Sequence, residues 1–123
     1  MTWNLDARIP LTLLADPAAL AEALAEGSPA AVLLAAPQGP LPAGAVVQSH
    51  FDALMPHAVA CACCQGRGPV AEALDRLFQA RVRGQCPWFE RVLALAETAE
   101  ATAMVRAALR EDAVTAARFR LLG

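Results

Sequence analysis

From Ile9 onward, short apolar runs alternate with amphipathic stretches. Ile9-Pro10-Leu11-Thr12-Leu13-Leu14 reads as a first strand. Asp16-Pro17 follows as a helix start, an N-cap acid with proline at the first helical position. Leu20 and Leu24 lie one turn apart on the inner face of that helix, and Gly27 ends it. The unbroken apolar run at 30–36 predicts a strand covered on both faces. Residues 37–44, with three prolines and two glycines, predict a loop. Val46-Val47 predicts a short strand, and 57–63 another.

Gly68-Pro69 opens a second helix, with Val70, Leu74 and Leu77 inward and a Glu72–Arg76 pair outward. Arg81 and Arg83 precede Gly84 at its end, where cations suit the negative end of the helix dipole. A further strand is expected at 91–97. A last helical stretch is expected at 102–118, broken near Asp112. Strand and helix in alternation imply one α/β domain over 1–123, a three-layer sandwich with a mostly parallel sheet of four to five strands.

The totals narrow the function classes. A chain of 123 residues suits a single domain that folds without staples. The formal net charge is −2, with acids and arginines interspersed, so no basic face for nucleic acid or polybasic membrane patch is expected. The start of the chain lacks the basic-then-apolar order of a signal peptide, and no apolar run could span a bilayer. A cytoplasmic protein with reduced thiols is expected. All ten basic residues are arginine.

The chemistry concentrates in Cys61-Ala62-Cys63-Cys64, three thiols within four positions. In a regular strand Cys61 and Cys63 share a face and Cys64 points away. The three converge only if the chain turns, which Gly66 and Gly68 make easy. Three thiolates favour zinc, copper(I) or another thiophilic metal. His57, His50, Cys86 or a water could complete a four-coordinate site, and His57, four residues before Cys61, is nearest. The bland alternative is three small side chains buried together. Cys61 and Cys64 also form a C-x-x-C, but a redox pair usually sits at a helix N-terminus, and here Gln65 to Gly68 intervene. Cys86-Pro87 reads as a packed or loop residue, and Trp88-Phe89 as a core anchor, with an exposed interaction patch as the alternative. No Ser-His-Asp arrangement stands out.

Cys61-Ala62-Cys63-Cys64, followed by Gln65-Gly66-Arg67-Gly68 and an amphipathic helix, resembles the CobW-like GTPases, metallochaperones with a C-x-C-C motif. The opening Ile9 to Leu14 looks like their first strand, and Pro87-Trp88-Phe89-Glu90-Arg91-Val92-Leu93 like the approach to their Walker B strand. Arg118-Phe119-Arg120-Leu121-Leu122-Gly123 is similar to the segment just before their next strand. Together these pieces cover about the first half of such a GTPase domain. The resemblance implies a metal site at Cys61, Cys63 and Cys64, with zinc or cobalt as the metal.

The departures matter as much. The family's first strand runs into G-x-x-x-x-G-K-[ST], whose backbone cradles phosphates and whose lysine neutralises them. Here it runs into Ala15-Asp16-Pro17, with an acid where phosphate would sit. In an ungapped alignment the family's Walker B glutamate and glycine fall on Leu95 and Thr98. Glu97 would replace that glutamate only by a register shift that moves it to the other face of the strand. The N-K-x-D segment that reads guanine would follow Gly123. No nucleotide and no GTPase activity are therefore expected. A sheet without the family's remaining strands has an open edge, so a homodimer or a larger partner is expected to cover it. The alternative to a metal protein is a pseudo-GTPase interaction module.

Overall fold

The computed structural model describes residues 7–35, 39–51 and 68–122. They form a five-stranded, all-parallel sheet flanked by helices. The chain runs β1 (Ile9–Leu14), α1 (Pro17–Leu24), β2 (Ala30–Leu34), β3 (Ala45–His50), α2 (Pro69–Val82), β4 (Arg91–Leu95), α3 (Ala99–Glu111), α4 (Ala113–Arg118) and β5 (Phe119–Leu122). The spatial order is β3-β2-β4-β1-β5.

That order decides which helices share a face. α1 carries the chain from β1, fourth in the sheet, to β2, second. α2 leads from β3 to β4, and α3 with α4 leads from β4 to β5, both in the opposite direction. Right-handed crossovers running in opposite directions must lie on opposite faces. The core divides accordingly, with the period of two that strands impose. Leu20 and Leu24 of α1 pack on Ala30, Val32 and Leu93. Val70, Leu74 and Leu77 of α2, with Ala101 and Val105 of α3, pack on Leu11, Ala31, Leu33, Val92 and Ala94.

Local signals set the boundaries. Asp16 caps α1, its Oδ1 accepting from the Ala19 amide at 2.8 Å. Asp112 ends α3 and caps α4, its Oδ2 accepting from the Thr115 amide at 2.9 Å and from the Thr115 hydroxyl at 2.7 Å. The expected break near Asp112 is thus a change of helix. Gly84 stops α2 with φ +68°, a left-handed conformation that glycine adopts readily. Every residue of β2 is buried except Leu34, as a doubly covered strand requires.

Three expectations change. Residues 118–123 contain a strand of their own: β5 pairs with β1 along Ile9↔Phe119 to Thr12↔Leu122. The signal is short, but Phe119 is buried and meets Phe78 edge-on at 6.3 Å. Trp88 and Phe89 do not act together. Phe89 is fully buried, whereas Trp88 is 57% exposed with the Arg81 guanidinium 3.7 Å above its ring. Arg76 turns away from Glu72 to β3, donating to Ser49 Oγ at 3.3 Å and to the His50 carbonyl at 2.8 Å. The expected strand at 57–63 lies outside the described residues.

Candidate functional site

Open parallel sheets bind ligands beyond the C-terminal ends of their strands, where neighbouring strands send their connections to opposite faces. β1 and β4 meet this condition: they pair up to Leu14↔Leu95, α1 leaves to one face and α3 to the other. The pairing continues one residue further, the Ala96 amide donating to the Leu14 carbonyl at 2.9 Å. The crevice mouth is formed by Ala15 and Asp16 on one side and by Ala96, Glu97 and Thr98 on the other.

Its chemistry is acidic and self-satisfied. The first turn of α1 points an amide at Asp16, so the helix N-terminus that would attract phosphate already holds a carboxylate. Thr98 does the same for α3, its Oγ1 accepting from the Ala101 amide at 3.1 Å. Leu95 is a half-buried apolar residue at the end of β4, and Glu97 is exposed. No arginine takes part in any of these contacts.

The cysteine segment leaves β3 and returns at α2. Cys61, Cys63, Cys64 and His57, the residues singled out for a metal, lie outside the described residues. The flanking residues are described. Phe51 is buried, and its amide donates to the Leu34 carbonyl at 3.0 Å, at the C-terminal end of β2. Arg76 binds the last residue of β3, whereas Arg81 Nε donates to the Phe89 carbonyl just before β4, at 2.9 Å. α2 therefore descends from the C-terminal to the N-terminal edge of the sheet. Gly68 stands about 12 Å of helix before Arg76, beyond the C-terminal edge.

The two remaining candidates for a fourth ligand are thereby separated. Cys86 follows the far end of α2, about 21 Å of helix from Gly68. It is half-buried beside the core, burial pushing its thiol up while the nearby Arg81 guanidinium pulls the other way. His50, the last residue of β3, is at the same edge as Gly68. Burial, assisted by the Arg76 guanidinium, pushes its imidazole below the ordinary value. Its Nε2 is shielded from solvent and has no hydrogen-bond partner. Among the described residues no group of three or more His, Cys, Asp or Glu could hold a metal.

A lowered histidine pKa fixes the sign of a pH effect. Between the depressed folded value and the ordinary one near 6.5, the unfolded chain binds more protons at His50 than the folded chain does. The stability tied to neutral His50 is complete above that window and is lost as pH falls through it. His50→Gln is expected to flatten this acid dependence, as read from urea midpoints across mildly acidic pH. An unchanged pH profile would show that His50 is not held neutral.

Polar residues that sequence reasoning passed over gather beside His50. Gln48, Ser49, His50 and Arg76, with Val47, Leu77 and Ala80, line a cavity of about 470 Å³ between β3 and α2. None of Gln48, Ser49 and Arg76 belongs to a recognisable motif, and only the crossover brings Arg76 to β3. No helix among the described residues is long and apolar enough to cross a membrane. Compared with family models, curated proteins and solved structures, the chain matches none.

Proposed function

We propose that this chain is a nucleotide-independent relative of the CobW-like GTPases that binds a thiophilic divalent metal. Zinc or cobalt is held by Cys61, Cys63 and Cys64, with His57 as the fourth ligand, for storage, sensing or transfer. The observation that carries the reading is the triad itself, three thiols in four positions ahead of Gly66-Arg67-Gly68. Thiolate-rich sets of this kind select zinc and its neighbours over harder cations.

Two features support the nucleotide-free part. Asp16 holds the α1 amide that a phosphate would need, and the sequence has no lysine to neutralise one. The adjacency of β1 and β4 is what a phosphate loop and a metal-holding acidic strand end would require. The architecture is thus compatible with descent from a nucleotide-binding domain whose chemistry is absent.

The deciding experiment is elemental analysis of protein purified under reducing conditions, beside a Cys61/Cys63/Cys64→Ser variant. About one equivalent of zinc or cobalt per chain, lost in the variant, is expected for a tetrahedral site. Metal-free protein that also takes up no added zinc would end the metal reading.

The second reading is a pseudo-GTPase that serves as a protein-interaction module. It is favoured by the sheet edges: β3 and β5 each have one sheet neighbour among the described strands, and unpaired parallel edges invite pairing. On this reading a homodimer or a larger partner covers an edge. Cys63→Ser would lower thermal stability without altering metal content, and light scattering on the same samples would give the mass of a pair.

A further inference from the structure

A parallel ladder turns the backbone groups of alternate residues to opposite sides of a strand, and two bonds fix which way β3 is set. The Phe51 amide donates to the Leu34 carbonyl of β2 at 3.0 Å, whereas the His50 carbonyl accepts from Arg76 Nη2 at 2.8 Å on the other side. Ser49 therefore turns its backbone to β2, and Gln48 and His50 turn theirs outward. β3 has β2 as its one sheet neighbour among the described strands. The Gln48 N–H, the Gln48 carbonyl and the His50 N–H consequently have no partner among the described residues. Such a row is a template for another strand.

The side chains beside this edge are spaced for one. Val47 and Ser49 project to the α2 face, where Ser49 Oγ accepts from Arg76 Nε at 3.3 Å. Gln48 and His50 project to the α1 face and offer only their backbone. A cavity of about 470 Å³ opens between β3 and α2, with Arg76 and Ala80 on its helical wall. Ala80 lies one turn beyond Arg76, about 6 Å along the helix. Val47 lies about 6.6 Å from Ser49 along the strand, the spacing of alternate residues in an extended chain. Arg76 is exposed and forms no ion pair among the described residues. Its Nε and Nη2 are pinned to β3 and Nη1 is unused, a fixed guanidinium suited to carboxylate.

We propose that an extended peptide segment of a partner protein adds to the sheet beside β3. An aspartate or glutamate of that segment meets Arg76, and an apolar residue two positions away rests on Val47 and Ala80. Main-chain bonds to Gln48 and His50 supply affinity, and the alternate side chains supply selectivity. A second copy fits less well, because β3 itself carries no acid to bring to Arg76. The proposal rests on the interaction reading above and adds to it the edge used and the chemistry of the partner.

The probe is the peptide Thr-Val-Thr-Glu-Thr-Val-Thr, labelled at its N-terminus and amidated at its C-terminus. In either strand direction it places a valine two positions from the glutamate. Titration of the whole chain, followed by fluorescence anisotropy, is expected to give saturable binding. Hydrogen exchange at the Gln48 and His50 amides is expected to slow in the complex. The peptide with glutamine in place of glutamate is expected to bind about tenfold more weakly, and Arg76→Gln is expected to erase that difference. A circular dichroism melt establishes that the variant is folded. No saturable binding of the glutamate peptide would overturn the proposal. Equal affinities of the two peptides for the wild-type chain, or binding that leaves both amides exchanging as before, would overturn it as well. Light scattering separates this failure from failure of the interaction reading. A peptide-free pair with both amides unprotected, beside no peptide binding, ends the proposal and leaves that reading standing, whereas a monomer that binds no peptide ends both. A peptide-free pair that protects both amides gives the edge to a second copy and overturns the proposal.

Discussion

Phe89→Ala is expected to remove about 3–5 kcal/mol of folding stability, while Trp88→Ala next to it removes about 0.5–1 kcal/mol. Phe89 has no exposed surface and belongs to the main core cluster, where truncation leaves a cavity that close-packed neighbours cannot fill. Trp88 is more than half exposed and loses chiefly its stack on Arg81, which stays anchored by its Nε to the Phe89 carbonyl. Urea denaturation followed by circular dichroism gives both values. Comparable losses at the two positions would show that the aromatics form one unit, contrary to the packing described.

Arg91→Met is expected to lower stability by about 2 kcal/mol. Arg91 opens β4, yet its Nη2 donates to the Ala23 carbonyl at 2.8 Å and to the Ser28 carbonyl at 3.1 Å. It thereby ties the end of α1 and the turn into β2 to the middle of the sheet. The side chain is only 17% exposed, so water does not replace these bonds fully when they are removed. Glu26 at 3.6 Å adds little, because its own side chain is 71% exposed. Arg91→Lys should recover only part of the loss, since the shorter lysine side chain ends short of the Nη2 position that reaches both carbonyls. A shifted urea midpoint with an unchanged slope is the expected signature. A midpoint within error of the wild type would mean that the two carbonyls find other partners.

Much of the architecture is legible in the sequence because the strong elements carry redundant signals. α1 has its cap, its proline and its leucine spacing, and β2 has an apolar run that no surface segment would carry. α2 combines a Gly-Pro start, an inward stripe and a glycine stop. The missed features depend on partners distant in the chain. β5 is four residues whose strand character comes from pairing with β1, about 110 positions earlier. Trp88 and Phe89 look alike as a dipeptide, and only the placement of α2 and β4 buries one and leaves the other in water. The candidate chemistry divides the same way. A triad of cysteines is visible as composition, while the cavity at β3 needs Arg76 carried back 26 positions by the crossover.

The strand order also bears on how the molecule is made. β1 and β2 are not neighbours, for β4 lies between them and bonds to both. Until residues 91–95 are available, the first three strands cannot form a continuous sheet, and the two inner strands each lack a partner. Such long-range pairing is slow and leaves strand edges open while it waits. A ribosome moving from the N-terminus delivers the cysteine segment before the strand that closes the sheet. The thiols of Cys61, Cys63 and Cys64 thus leave the ribosome ahead of the strand that completes the sheet.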